Sequence, residues 1–273
     1  MKNLFLTLLA AIFLGGVSLA AEPPKPLRVL LVCGGCCHDY EAQKKILSEG
    51  IKARANVEFT IVHEGIPHPA DANGPADDAR KTRVSIYEKP DWWKGYDVVL
   101  HDECFGFVSD NAFVENITAA HKAGVPAVLL HCSSHSYRMA TTEEWHKVVG
   151  ITSHSHENKH DLDVKVVNAD HPVMKGFPAS WHDAQDELYK NEKIWDTATP
   201  LAQAYGVDTK QNHVCIWVNN YDKARVFTTT LGHSNETVSS PVYLDLVTRG
   251  LLWACGKLND DGTPAPGYGP AGK

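Results

Sequence analysis

The sequence predicts an α/β domain built around a doubly wound, mostly parallel sheet, and three observations support this prediction. Nearly continuous aliphatic runs recur along the chain, which is typical of strands that are covered on both faces. Segments with helical periodicity separate these runs, so strands and helices alternate. The 273 residues also fit one large domain better than two.

The first half of the chain carries the alternating pattern. The predicted strands span residues 27–33, 57–62, 96–101 and 125–131, and the predicted helices span residues 39–54 and 109–123. Residues 65–90 are polar, contain prolines and show no periodicity, so we expect a long loop over the surface.

The second half adds strands and a closing helix. The predicted strands span residues 162–167, 201–205, 214–218 and 225–230, and the last two are expected to form a C-terminal β-hairpin. A helix is predicted over residues 241–255, with Pro241 in its opening turn. Residues 258–273 are rich in Gly, Pro and Asp, so we expect a disordered tail there.

Residues 1–20 have the order of charged, apolar and small residues that is typical of a cleavable signal peptide. Lys2 precedes an apolar run over residues 4–14, and the small residues Ser18 and Ala20 precede a plausible cut. The run is too short to span a bilayer, and no cysteine stands at the cut to take a lipid anchor. We therefore expect a periplasmic or secreted protein that has no contact with the membrane after cleavage.

Cleavage at this position would leave a linker over residues 21–26 and an α/β domain over residues 27–257. We expect the secreted protein to begin at Ala21, because small residues stand one and three positions before that bond. The intact mass of periplasmic material measures this, and retention of Met1 would contradict it.

The composition restricts the possible partners and the redox chemistry. A net charge of −7, with both signs interspersed, argues against nucleic acid as a partner, because no basic patch would collect phosphates. Seven cysteines in an oxidising compartment could pair, but their odd number leaves at least one thiol free. The spacing of Cys33, Cys36 and Cys37 indicates a local cluster rather than a disulfide framework.

Polar residues stand directly after several predicted strands, where open α/β sheets bind their ligands. Because the carboxyl ends of parallel strands meet at one edge of a sheet, we expect these side chains to converge. The residues are His38 and Asp39 after the first strand, His101 and Glu103 after the third, His131, Ser134 and His135 after the fourth, and His233 after the last.

Five segments stand out in order along the chain: Gly34-Gly35 with His38-Asp39, Leu130-His131, His171-Pro172 with Gly176, Asp186-Glu187-Leu188-Tyr189, and Trp217 with Arg225 through His233. In these segments and their order the sequence, from about Arg28 to Cys255, resembles the ThuA-like (trehalose utilisation) family. The resemblance implies a flavodoxin-like fold related to the class I glutamine amidotransferases. It also implies a role in carbohydrate metabolism, with a keto-sugar or keto-glycoside as the small-molecule substrate.

The resemblance leads to a hypothesis of a lyase, isomerase or hydrolase that removes a proton next to a carbonyl. Glu187 or His131 would be the base, and His38 and His233 would polarise the oxygen, alone or through a divalent metal held by the three histidines. Tyr189 and Trp217 would suit the hydroxyls and the apolar face of a sugar. The further expected substrate contacts are Asp39, His101, Glu103, Ser134, His135 and Asp186.

Two other functions and one further metal site remain open from the sequence. Cys132, on the turn after a strand, would be the nucleophile of an amidotransferase-like hydrolase, although the glycines of a sharp elbow are missing around it. A non-catalytic carbohydrate-binding protein would use the same residues without a base. The histidine-rich segment at residues 154–160 is either a solvated loop or a metal patch in which His156 and His160 share a helix face.

Overall fold

The computed structural model describes residues 24–65 and 78–270. The predicted signal peptide and part of the predicted long loop lie outside the described residues. Two short 3-10 helices, Ala79–Lys81 and Ser85–Glu88, lie in the described part of that loop.

Five α-helices and eleven strands make up most of the regular structure of the described residues. The helices are α1 (Tyr40–Lys52), α2 (Asn111–Lys122), α3 (Glu144–Val149), α4 (Asn235–Ser239) and α5 (Pro241–Ala254). The strands are β1 (Leu27–Gly35), β2 (Val57–His63), β3 (Val98–Cys104), β4 (Ala127–Leu130), β5 (Ile151–Thr152), β6 (His160–Val166), β7 (Ser180–Asp186), β8 (Lys193–Ile194), β9 (Ala198–Tyr205), β10 (Asn212–Tyr221) and β11 (Ala224–Thr229).

Nine strands form one mixed sheet in the order β2-β1-β3-β4-β11-β10-β9-β6-β7. Strands β2, β1, β3, β4 and β11 are parallel, whereas β10, β9, β6 and β7 extend the sheet in antiparallel fashion. The predicted α/β class is confirmed, and β10 and β11 form the predicted hairpin. Strands β5 and β8 pair separately.

Helices cover both faces of the parallel half of the sheet. Successive residues of β1 alternate between two hydrophobic cores, because side chains of a strand point to opposite faces. Leu31 packs with residues of α1 and α5 on one face, and Leu30 packs with residues of α2 and α3 on the other. None of the described helices combines the length and apolar character needed to cross a bilayer.

The segment after Leu258 is ordered through residue 270, contrary to the expected disordered tail. Leu258 forms an isolated bridge with Pro264, and the carbonyl oxygen of Tyr268 accepts a hydrogen bond from Asn56 N at 3.1 Å. Leu258 and Tyr268 also pack against the core. The Gly- and Pro-rich composition did not predict this order, because Leu258 and Tyr268 hold the segment against the amino ends of the parallel strands. Tyr268 there lines a cavity of about 760 Å³, at the opposite end of the strands from the polar edge described below.

Asp102, inside β3, gives a prediction about pH and stability. It is buried, its Oδ2 has no hydrogen-bond partner among the described residues, and burial, followed by the charge of Glu103, raises its pKa to about 8. The folded state therefore binds this proton more tightly than the unfolded chain does. The contribution to stability is fully present below about pH 4, the unfolded pKa, and is lost as pH rises through about 8.

We expect Asp102→Asn to flatten the pH dependence of unfolding and to raise the free energy of unfolding at high pH by about 1–3 kcal/mol. Urea unfolding across this pH range measures both effects. Asp97→Asn is the matched control, because the hydrogen bond from Arg28 lowers the pKa of Asp97 and gives its titration the opposite sign. Equal pH slopes for the wild-type and Asp102→Asn proteins would contradict the prediction.

Candidate functional site

Three histidines meet at the carboxyl edge of the parallel strands. His38 follows β1, His131 follows β4 and His233 follows β11. The ring centroid of His38 lies 4.7 Å from that of His131 and 4.9 Å from that of His233, and the last two are 5.5 Å apart. The parallel arrangement brings these sequence-distant residues to one edge. Together with Glu187 they are called the rim cluster below.

Backbone carbonyls orient two of the three imidazoles. His38 Nδ1 lies 3.2 Å from the carbonyl oxygen of His233, and His131 Nδ1 lies 2.6 Å from that of Thr230. A carbonyl oxygen only accepts, so each Nδ1 carries a hydrogen and leaves the lone pair of the neutral ring on Nε2.

One ring nitrogen of each of the three histidines is available for a ligand. His38 Nε2, His131 Nε2 and His233 Nδ1 are buried and have no hydrogen-bond partner among the described residues. Each histidine offers a ligand atom within 4.8 Å of those of the other two. An imidazole fixed by a carbonyl on one nitrogen, with a lone pair on the other, is the usual arrangement of a metal ligand.

The carboxylate of Glu187 completes the rim cluster. Its oxygens lie 3.3 Å from His233 Nδ1, 3.4 Å from His131 Nε2 and 3.6 Å from His156 Nε2. Burial opposes its ionisation, but the contacts with His131 and His233 outweigh it and hold the pKa of Glu187 well below its usual range. Burial lowers the pKa of His131, against the influence of Glu187. At neutral pH the cluster therefore contains an ionised carboxylate.

The backbone at His131 is strained and determines which side chain occupies the turn. His131 has φ +42°, an uncommon value for a residue other than glycine, and begins the 3-10 helix His131–His135. The residue at the sharp turn is thus a histidine rather than Cys132. Contact with Cys104 and burial raise the pKa of the Cys132 thiol well above its ordinary value. The position of the turn argues against Cys132 as the nucleophile of an amidotransferase-like hydrolase, because the residue at the turn is His131.

Asp186 lies beneath the rim cluster and holds two segments together. It is fully buried, and its carboxylate accepts hydrogen bonds from the backbone N–H groups of Gly232 at 2.8 Å, His233 at 3.3 Å and Glu187 at 2.7 Å. Gly232 has φ +114°, and a Cβ there would meet the hydroxyl of Tyr243. Asp186 therefore positions His233 and Glu187 rather than contacting a substrate.

We expect Asp186→Ala to reduce ligand affinity at the rim cluster by about 10–100-fold, because the support of His233 and Glu187 is lost. Three backbone donors would lose their acceptor, so the free energy of unfolding should fall by about 1–3 kcal/mol as well. Ligand titration and urea unfolding measure the two effects. If only stability falls, Asp186 has no part in positioning the cluster.

One wall of the site is aromatic. Tyr189 is buried and stacks on His135, with ring centroids 3.9 Å apart and planes inclined by 18°. His135 Nε2 lies 2.9 Å from Ser153 Oγ, and Ser134 Oγ donates to the carbonyl oxygen of His131 at 2.9 Å. These side chains support His131 from behind.

Asp39 lies at the exposed edge of the site. It caps α1 by accepting a hydrogen bond from Ala42 N at 3.0 Å, and Asn235 Nδ2 donates to its other oxygen at 3.1 Å.

His101, Glu103 and Trp217, expected to be substrate contacts, lie away from the rim cluster. Strand β3 continues past residue 101 to Cys104, so His101 and Glu103 lie inside the strand. The ring of His101 contacts His121 of α2 and Trp145 of α3. Glu103 Oε1 lies 3.0 Å from His101 Nδ1 and accepts from Tyr87 and Tyr137 at 3.2 Å each. All of these side chains are buried.

Trp217 lies in the middle of β10 and belongs to the core. Its Nε1 donates to the carbonyl oxygen of Val149 at 2.6 Å, and its side chain is buried. We expected substrate contacts from the sequence, but the structure shows structural contacts inside the core for Trp217, His101 and Glu103.

The histidine-rich segment does not form the helix face that a metal patch would need. His160 begins β6, and His156 forms an isolated bridge with Tyr189, so the two are not on one helix. His156 instead reaches the rim cluster with 38% of its side chain exposed. Sequence reasoning did not place His156 in the site, because nothing in its local spacing shows that the segment before β6 pairs with the segment after β7, next to Glu187.

Comparison with known proteins identifies the family. A family model described as "Trehalose utilisation" (ThuA) matches residues 29–254. A putative ThuA-like protein from Parabacteroides merdae has a TM-score of 0.62 at 17% identity, over 89% of this chain and 98% of that one. A second, from Bacteroides uniformis, has a TM-score of 0.62 at 15% identity, over 92% and 99%. No curated protein matches this chain. At these identities the solved structures show a shared fold only, whereas the family model covers most of the sequence, and the chain belongs to the ThuA family.

Proposed function

We propose that this protein binds a keto-sugar or keto-glycoside at the rim cluster and removes a proton from the carbon next to the carbonyl. Membership of a carbohydrate-utilisation family supports a sugar as substrate. The main support is a set of three buried imidazole nitrogens without hydrogen-bond partners among the described residues, two of which, on His131 and His233, lie beside the carboxylate of Glu187. A site built only for structure would leave few such atoms unpaired.

The donor set of the rim cluster fits a divalent metal ion. Three imidazoles suit ions such as Zn²⁺, Fe²⁺, Mn²⁺ or Ni²⁺, and the nearby carboxylate of Glu187 adds a compensating negative charge. His38 Nε2, His131 Nε2 and His233 Nδ1 would hold the ion, which would supply a Lewis acid that polarises the carbonyl oxygen of the substrate. The carbonyl contacts of His38 and His131 keep these rings in place before any ligand arrives.

Glu187 is the proposed base. Among the described residues, its carboxylate is the acidic group that contacts the open histidine nitrogens, and 13% of its side chain is exposed. His156, at 3.6 Å from Glu187 and more exposed, would pass the proton on to solvent. Whether the reaction ends as isomerisation, elimination or hydrolysis depends on where the substrate carries its leaving group.

Deuterium exchange tests the proposal whichever product the reaction forms. The mature protein is incubated in D₂O with a panel of 3-keto-glycosides, with and without divalent metals, and NMR follows the hydrogen next to the carbonyl. We expect exchange with the wild-type protein and a loss of about 100–10,000-fold in Glu187→Gln. His182→Ala, which changes an exposed histidine on β7, should behave like the wild type.

A sugar that binds without exchange in any metal would overturn the proposal and favour the non-catalytic carbohydrate-binding protein. Export to the periplasm remains part of the proposal and is supported by the sequence of residues 1–20.

A further inference from the structure

Four cysteines form a continuous chain of sulfur contacts beside the rim cluster. Cys36 and Cys37 are joined by a disulfide, Cys36 Sγ lies 3.5 Å from Cys104 Sγ, and Cys104 Sγ lies 3.0 Å from Cys132 Sγ. Cys37 is partly exposed, whereas Cys36 and Cys104 are buried. We call these four residues the sulfur cluster.

The backbone brings these residues together by a close approach of β1 and β3. Gly35 has φ +105°, and a Cβ on it would overlap with the carbonyl oxygen of Cys104. Only glycine fits there, and its absence of a side chain places Cys36 next to Cys104. Cys132 reaches the same point from the turn after β4, so three separate segments contribute sulfur atoms.

We propose that the sulfur cluster is a thiol–disulfide exchange site, in which the Cys36–Cys37 disulfide and the Cys104 and Cys132 thiols exchange oxidation state, and in which Cys37 reacts with external thiols. The sulfur atoms of each reacting pair are already in direct contact, so each exchange needs little movement. The chemical class of the external reactant is a small thiol or its disulfide.

The exchange proceeds in two balanced steps. The Cys104 thiolate attacks Cys36 Sγ, which forms a Cys36–Cys104 bond, breaks the Cys36–Cys37 bond and releases Cys37 as a thiolate. Cys132 then attacks Cys104 Sγ, which forms a Cys104–Cys132 bond and releases Cys36 as a thiolate. The proton of Cys132 ends on Cys37. Two electrons have moved from one cysteine pair to the other, and no outside oxidant is consumed.

Arg80 favours both leaving groups. Its Nε donates to Cys36 Sγ at 3.2 Å, and its terminal nitrogen lies 3.7 Å from Cys37 Sγ. A guanidinium stabilises a thiolate more than a disulfide sulfur, so it favours release of either cysteine. The attacking group is also suited to its role, because contact with Cys132, and the charges of Arg80 and Arg138, lower the pKa of Cys104 despite its burial.

The sulfur cluster is adjacent in sequence to the rim cluster. Cys37 immediately precedes His38, and Cys132 immediately follows His131. The hydroxyl of Tyr189 also donates to Cys132 Sγ at 3.5 Å, and Tyr189 packs against the ring of His131. Formation of the Cys104–Cys132 bond would draw Cys132 Sγ towards Cys104 and change its contact with the hydroxyl of Tyr189.

Disulfide mapping of the intact mature protein tests the exchange site independently of the proposed function. The protein is held in glutathione buffers of graded redox poise, quenched with iodoacetamide, digested without reduction and analysed by mass spectrometry. We expect alkylation of Cys37 to rise together with a Cys104–Cys132 linkage. Cys132→Ser should accumulate the Cys36–Cys104 intermediate, and Cys104→Ser should slow alkylation of Cys37 at least about 10-fold.

Cys255→Ser is the matched control, since Cys255 lies at the end of α5 away from the cluster, and it should behave like the wild type. Thermal melting establishes that each variant is folded, and Cys104→Ala replaces Cys104→Ser if the latter is not. The proposal is overturned if Cys132 stays a free thiol at every redox poise. It is equally overturned if Cys104→Ser and the wild type expose Cys37 at the same rate, or if the reduced cysteines hold a metal ion and never exchange.

Discussion

Replacement of His131 by alanine is expected to lower deuterium exchange into a keto-glycoside by at least about 1,000-fold. His131 Nε2 is one of the three imidazole nitrogens without a hydrogen-bond partner among the described residues. It lies 3.4 Å from the carboxylate of Glu187. Loss of this ring would remove a metal ligand and alter the environment of the proposed base together. The exchange rate at saturating substrate and the metal content of the variant are the measurements.

His131→Asn is the matched variant for this prediction. The backbone at His131 has φ +42°, which asparagine tolerates better than alanine. We expect the asparagine variant to melt closer to the wild type and to lose exchange to a similar extent. If His131→Asn keeps more than about a tenth of the exchange rate, His131 does not have the role assigned to it.

Replacement of Glu103 by alanine is expected to lower the free energy of unfolding by about 3–5 kcal/mol. The change would leave His101 and the hydroxyls of Tyr87 and Tyr137 buried without their shared acceptor. Linear extrapolation of urea unfolding measures the effect. Glu103→Gln retains an oxygen acceptor and should cost less.

Glu103→Gln also tests whether Glu103 has a structural role or contacts the substrate. Under native conditions, folded Glu103→Gln should keep the wild-type KM, because its side chain is fully buried away from the rim cluster. A wild-type stability with a raised KM would contradict the structural role and restore the role expected from the sequence.

The parallel half of the fold could be predicted because its signals are local. The aliphatic run of β1 and the helical spacing of α1 are strong patterns, and the predicted boundaries lie within two residues of the observed ones. Strand β7 was missed because Ser180 through Asp186 is mostly polar and largely exposed, with apolar residues only at Trp181 and Ala184. A polar edge strand has no hydrophobic pattern to distinguish it from a loop.

The residues of the site could be predicted only where the ends of the strands could be predicted. His38, His131 and His233 follow strands whose predicted ends lie within two residues of the observed ones, and the parallel sheet brings them together. For β3 the apolar run ends at Leu100, but the strand continues through charged residues to Cys104. Burial of those charges depends on partners such as Tyr87, which lies in a segment without periodicity. No local pattern reports such a tertiary contact.

Metal content shows directly whether His38, His131 and His233 hold a divalent ion. Mature protein without a histidine tag is dialysed against a mixture of Mn²⁺, Fe²⁺, Co²⁺, Ni²⁺ and Zn²⁺, freed of excess ions and assayed by elemental analysis, beside a variant with His38, His131 and His233 all changed to alanine. We expect about one divalent ion per wild-type chain, almost none in the variant, and loss of deuterium exchange when a chelator removes the ion. Equal metal content in the two proteins, or full exchange after the wild-type ion has been removed, would contradict this expectation.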